Sequence, residues 1–331
     1  MKSYASEVQH HKLYAVVSCD TELDPPSIGE TWTNRNTEAF IEGLPKLVEL
    51  CDRNHLKATF FVEAAVALRF PDTIKQLAKT GHELGCHGKN HEWYGAHPPP
   101  KSLPQSNQLK LLTNDEKKTC IFEATETIKK TVGVKASGFK APFDSIEDIT
   151  TLKILEDLGY VTDSSLHSFS GVNLPIEKNT RSPWQYHIPF HPCKPSVVLL
   201  EIPYSINPDP RFWHPFGSHE DLMNVESDEV FRNVITLTCC LDKMYGRNES
   251  IIFLTSHPYE FSEKRILSWG LIGKKKIDLF ERTLEVLNTS HNTQFLTVGN
   301  LREVWEQEHC EIHSGKRLNH TGAANANSPT P

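Results

Sequence analysis

Residues 13–22 read LYAVVSCDTE, an apolar run that ends in two carboxylates. The run Leu13–Cys19 is short and rich in β-branched and aromatic side chains, so it reads as a β-strand. On a strand, residues i and i+2 point to the same side, about 6–7 Å apart. Asp20 and Glu22 therefore present two carboxylates to one spot at the strand's end. Taken alone, the same residues are an ordinary acidic turn with Asp24 and Pro25.

Working outward, apolar runs alternate with amphipathic stretches. Thr37–Asn54 places Phe40, Ile41, Leu44, Leu47, Val48 and Cys51 at helical spacing, with Pro45 early enough to be tolerated. Ala58–Val62 is a β-rich run, and Ala64–Lys79 is helical with a break near Pro71 and a stop at Gly81. Glu83–Cys86 is a third strand. Further strands are expected at 137–140, 160–163, 197–202, 251–256 and 295–298, and further helices at 115–131, 145–158, 225–245 and 276–288. Such alternation builds a parallel sheet, and seven or eight strands suit a closed (β/α) barrel, with an open doubly wound sheet as the alternative. A barrel of this kind places its active site at the C-terminal strand ends. The expected organisation is one catalytic barrel over residues 12–300, with flexible termini at 1–11 and 313–331.

Bulk properties narrow the function. In 331 residues, 38% hydrophobic content allows a sizeable core, and a net charge of -7 argues against nucleic acid or an anionic membrane as the main partner. The N-terminal apolar run is too short for a signal peptide or a spanning helix, so a cytoplasmic location without membrane insertion is expected. The 8 cysteines form no C-x-x-C pair and read as free thiols of a reducing compartment. Three sequons, at Asn248, Asn288 and Asn319, carry no meaning there.

Four more strand ends deliver polar groups. After Glu83–Cys86, His87 and His91 stand four residues apart, a spacing that lets two imidazoles share a face of a helical turn and chelate one metal. His82, an odd number of residues away, should face elsewhere. Phe139–Asp144 (FKAPFD), Thr162–Ser165 (TDSS) and Leu254–Pro258 (LTSHP) follow. Each cluster alone is unremarkable chemistry; five in series are harder to dismiss. Two histidines and one carboxylate are a common set for a catalytic zinc or similar cation with open positions. The second carboxylate is then left as a general base, and His257 is within reach of being a general acid. Two aromatic-rich loops, Trp184–His187 and Phe212–Phe216 with Trp213 and His214, offer stacking faces for a sugar or simply pack over the barrel mouth.

At these five clusters the chain resembles the polysaccharide deacetylase (NodB homology) family, from Leu13 to Val298 in order. KATFFV (57–62) and GHELGCHGKNHE (81–92) carry the likeness most strongly, and the first motif is similar to the Asp-x-Asp/Glu subgroup. The resemblance implies a distorted (β/α)7 TIM-like barrel that removes acyl groups, usually acetyl from N-acetylated sugars. It implies Asp20 as catalytic base and Glu22, His87 and His91 as ligands of one divalent metal ion, with zinc expected. Lys140 stands where the family has an arginine that orients the base, the Phe143 backbone N–H matches an oxyanion donor, Asp163 buttresses the site, and His257 matches the general acid. There are three departures. Lys140 offers a point charge instead of a planar fork, Glu22 is a methylene longer than aspartate, and Thr255 replaces a leucine. The expected function is N-deacetylation of an N-acetylated sugar or glycan precursor, with a carbohydrate or acylated small molecule as partner. A cytoplasmic cyclic imide or ureide hydrolase and a catalytically dead carbohydrate-binding barrel are the alternatives. The intact set of Asp20, Glu22, His87, His91 and His257 speaks against the last.

Overall fold

A computed structural model describes residues 11–310 except 28–29, 102, 104, 147, 167–197, 206–227, 245, 265–271 and 291–292. The first strand, β1 (Lys12–Thr21), runs through to the carboxylate end. It is followed by α1 (Glu38–Arg53), β2 (Thr59–Val62), α2 (Ala64–Arg69), α3 (Pro71–Lys79) and β3 (Glu83–Cys86). Then come α4 (Asn114–Val132), β4 (Gly138–Phe139), α5 (Ile149–Asp157), β5 (Thr162–Asp163) and β6 (Leu200–Glu201). The chain continues with α6 (Asp228–Met244), β7 (Glu249–Leu254), α7 (Gly273–Ser290), β8 (Thr293–Leu296) and α8 (Val298–Cys310).

All pairings between these strands are parallel, in the order β6-β5-β4-β3-β2-β1-β7. The strand β8 lies against residues 13–16 of β1, below the stretch 18–21 that pairs with β2. Beyond β6 the sheet curls until Ser205 N–H donates to the Phe253 carbonyl of β7 at 2.8 Å. The result is a curled, barrel-like parallel sheet with helices outside it, which is the fold class the alternation implied.

Side-chain alternation on β1 explains which groups reach the interior. Leu13, Ala15, Val17 and Cys19 join the core between sheet and helices, whereas Tyr14 and Val16 join a second cluster inside the curl, with Phe61, Phe253, Leu301 and Trp305. Asp20 shares the parity of Tyr14 and Val16 and continues the inner row. Helix α8 supplies Val298, Leu301 and Trp305 to that cluster. It was legible from Val298, Leu301, Val304 and Trp305 at helical spacing, yet the pattern was expected to end at Val298.

One boundary matches expectation, a second differs, and one residue sits in different surroundings. The Ala64–Lys79 segment does break, with Phe70 between two helices and Pro71 opening the second. The helix expected from Ser145 begins only at Ile149, because Phe143 and Asp144 adopt left-handed φ values of 57° and 51°. Asp24 is not a solvated turn residue: it is buried, and its carboxylate accepts from the Ala39 and Phe40 amides at 3.0 and 2.8 Å, capping α1. Among the described residues, no helix is long and apolar enough to cross a membrane.

Candidate active site

The upper ends of β1, β3, β4, β5 and β7 converge on one buried cluster. Glu22 leaves β1 through a tight turn in which its amide donates to the Asp20 carbonyl at 3.0 Å. Both carboxylates then face His257, whose Nε2 lies 3.7 Å from Asp20 Oδ2 and 4.0 Å from Glu22 Oε1.

His87 and His91 do not share a helical turn. They lie on a loop, with Gly88 at φ 77° and His91 itself at φ 63°. The loop is tied by the Glu92 carboxylate, which accepts from the amides of Lys89 and Asn90 at 2.9 and 3.0 Å and from the Tyr94 hydroxyl at 3.1 Å. Four-residue spacing works here through a folded-back loop, which brings the ring centroids to 5.5 Å.

One ligand atom from each of Glu22, His87 and His91 lies within 4.8 Å of the others. His87 Nδ1 is 2.8 Å from the Lys140 carbonyl, which can only accept, so Nδ1 carries the hydrogen and Nε2 keeps its lone pair. That Nε2 is 3.5 Å from Glu22 Oε2, close to the separation of about 3.4 Å that two ligands of a tetrahedral zinc show. His91 Nε2 also abuts Glu22 Oε2, and this buried oxygen has no formed hydrogen bond. A buried carboxylate oxygen facing two imidazole nitrogens with no donor of its own is what a shared cation would satisfy. The donor set fits.

His91 is boxed by aromatics: Trp32 stacks on it at 4.6 Å with an interplanar angle of 4°, and Phe143 meets it edge-on at 4.3 Å. Burial pushes its pKa down to about 4, against the pull of Glu22, so the ring stays neutral and able to ligate. Beneath lies a buried ion pair between Arg35 and Glu63, with the Arg35 guanidinium 5.5 Å from the Trp32 ring. Burial raises Glu63 to about 7 despite Arg35.

The other half is built for charge. Lys140 Nζ donates to Asp20 Oδ2 and lies 3.4 Å from Asp144 Oδ1 and 4.9 Å from the Tyr204 ring centre. A lysine grips only one oxygen, and Asp20 Oδ1 is left buried without a hydrogen-bond partner. Burial alone would raise Asp20, but Lys140, His87 and His257 outweigh it and hold the carboxyl below its ordinary value. Burial likewise opposes the charge on Lys140, and Asp20 and Asp144 overcome it, raising the ammonium pKa.

His257 is raised to about 9: burial would lower it, but the Glu260 carboxylate 3.1 Å from Nδ1, then Glu22 and Asp20, favour the imidazolium. Lys276 in turn sits 2.9 Å from Glu260 and helps hold that carboxylate to about 2, against burial. The turn at 258–261 that carries these groups can approach α1 closely because Gly43 has no Cβ; one added there would stand 1.8 Å from the Pro258 carbonyl oxygen.

Asp163 is one bond removed from this centre. It accepts from Ser165 Oγ at 2.7 Å, and Ser165 Oγ accepts from the Ala141 amide at 2.8 Å, bracing the loop that bears Lys140 and Phe143. Glu201 stands beside Asp163 in strand register. Burial raises both, Asp163 to about 6 and Glu201 well above its ordinary value, so one proton is shared between them. Trp213 and His214, with the aromatic loops at 184–187 and 212–216, lie outside the described residues. Trp32, Tyr259, Glu260 and Glu201 are the site neighbours that spacing did not reveal.

Comparison with known proteins finds a partial match. The family model described as polysaccharide deacetylase matches residues 39–162. That stretch includes His87, His91, Lys140 and Phe143, whereas Asp20, Glu22, Asp163 and His257 lie outside it. A peptidoglycan deacetylase of Helicobacter pylori is 28% identical over 38% of this chain and 37% of its own. The chain spans roughly a third of the length of the first curated relatives it matches. Among solved structures, a polysaccharide deacetylase from Mycobacterium smegmatis superposes with a TM-score of 0.58 at 16% identity, covering 90% of this chain and 92% of that one. An allantoinase gives 0.56 at 15% identity, covering 91% and 92%. At such identities the two share the fold with this chain.

Proposed function

We propose that this chain, whose residues 39–162 match the polysaccharide deacetylase family model, is a metal-dependent amide hydrolase that removes the acetyl group from an N-acetylated sugar or glycan precursor. The observation that carries this reading is the placement of Asp20 and His257, 3.7 Å apart, beside the cluster of Glu22, His87 and His91. Glu22, His87 and His91 would hold one divalent cation, zinc by the donor set, which when bound supplies Lewis-acid polarisation of the acyl oxygen.

The chain's own groups do the rest. Asp20, kept as a carboxylate by Lys140, takes a proton from the attacking water through its unpartnered Oδ1. As the acyl oxygen gains charge, the Phe143 N–H is placed in the role of a donor to it, on a turn whose left-handed backbone Ser165 and Asp163 brace. His257, an imidazolium up to about pH 9, gives its proton to the departing amine nitrogen. Glu260 and Lys276 keep it charged.

Acetate release over a panel of N-acetylhexosamines, their oligomers and nucleotide sugars tests this, with hydantoin and allantoin as the cyclic-amide arm. We expect acetate from one of the sugar arms, abolished by a chelator, and a fall of about 10²- to 10⁴-fold in kcat for Asp20→Asn with the cation retained. Turnover of a cyclic ureide alone would reassign the substrate. Full activity of Asp20→Asn would refute the base.

A further inference from the structure

We infer that Tyr259 is a positioning residue of this centre, whose hydroxyl fixes Oε1 of Glu22 so that Glu22 offers a cation a single oxygen, Oε2; this rests on the metal-site reading above. A carboxylate with both oxygens free can chelate a cation through two atoms or swing between them. Glu22 has less choice. Its Oε1 accepts the Tyr259 hydroxyl at 3.1 Å, while its Oε2 faces Nε2 of both His87 and His91. The extra methylene of glutamate is what lets one oxygen reach the tyrosine while the other reaches the imidazoles.

Tyr259 is itself held firmly. It is buried, and its ring stacks on His257 at 4.9 Å with an interplanar angle of 15°. Its turn is locked to α1 at Gly43 and by the Glu260 carboxylate, which accepts from the His257 amide at 3.3 Å. One rigid residue therefore touches both halves of the centre, a hydrogen bond to the ligand and a ring face to the proton donor. Partners that fix a ligand's orientation typically change metal affinity by 10- to 100-fold when removed. A tyrosine that merely fills the core would change stability instead.

Tyr259→Phe keeps the ring and its stack and deletes the donor. Zinc affinity of the metal-stripped protein, measured by competition with a chromophoric chelator, should weaken about tenfold or more, with a thermal melt confirming the fold. Cobalt-loaded protein gives an independent signature: a freed Oε1 raises the coordination number, so the visible absorption of Tyr259→Phe should be weaker than that of the unaltered chain. In a Glu22→Asp background, where the shorter arm no longer spans both partners, the same substitution should change zinc affinity by less than about twofold. Unaltered affinity in Tyr259→Phe, or an equal loss in both backgrounds, overturns the assignment. Zinc binding without hydrolysis of any substrate would sink the proposed function and leave this assignment standing.

Discussion

His91 and His257 both face carboxylates carried by the end of β1, yet their surroundings drive them in opposite directions. His91 is enclosed by Trp32 and Phe143 and falls to about 4; His257 is braced by Glu260 and rises to about 9. Near neutral pH one imidazole is therefore a lone-pair donor and the other a proton donor. The contrast teaches that the neighbour, and not the residue type, assigns the role: aromatic faces remove water without supplying charge, while a buried carboxylate supplies it.

The sharpest way to break the comparison is to delete the half that holds His91. His91→Ala or Glu22→Ala should abolish cation binding and lower kcat/KM by about 10³-fold or more, read by metal analysis beside the acetate assay. The same loss from a variant that still binds the cation fully would detach ligation from catalysis.

The charged half should show itself in pH. In the proposed reaction His257 acts as an imidazolium, and its pKa is raised, so kcat/KM should fall as pH rises through about 9. The stability it contributes has the same sign: fully present below the ordinary imidazole value of about 6.5 and lost as pH climbs through about 9. Glu260→Gln removes the adjacent carboxylate and should move the alkaline limb down by about one unit, a tenfold loss at the alkaline end. An unmoved limb would show that Glu260 does not set the imidazolium.

Removing an aromatic wall should matter less. Trp32→Ala forfeits a stack worth about 0.5–1.5 kcal/mol, so zinc affinity should drop by about two- to tenfold, with the pH limb of His257 unchanged. A shift of that limb in Trp32→Ala would mean that the aromatic wall over His91 also sets the charge of His257.

Much of this was legible before any coordinates. Strand ends announce themselves when an apolar run stops at a polar group, as at Asp20, His87, Lys140, Asp163 and His257, and Glu83–Cys86 falls on its expected residues. What escaped has physical reasons. Trp32 sits in a polar stretch without periodicity, so nothing marks it as the partner of His91. Tyr259 and Glu260 were adjacent to His257 all along, but only a turn in space makes neighbours of them. Glu201 did leave a trace, a lone charge between Leu200 and Ile202, and its meaning awaits the register that sets it beside Asp163. The loop geometry of His87 and His91 was hidden because Gly88 and a left-handed His91 replace the helical turn that the spacing suggests.

The pairing of β1 with β7 has one more consequence. Residues 12–17 meet residues 249–254, so β1 is completed by a strand more than two hundred residues further along the chain. During synthesis, Asp20 and Glu22 must wait for more than two hundred residues before Ser256 receives the Asp20 amide at 2.9 Å and His257 arrives. The centre thus cannot assemble before residue 257 has been made, and folding must close a very long loop to complete it. A fragment ending at residue 247 should neither hold the cation with the full chain's affinity nor release acetate; one that did either would show that the centre assembles without its distant strand.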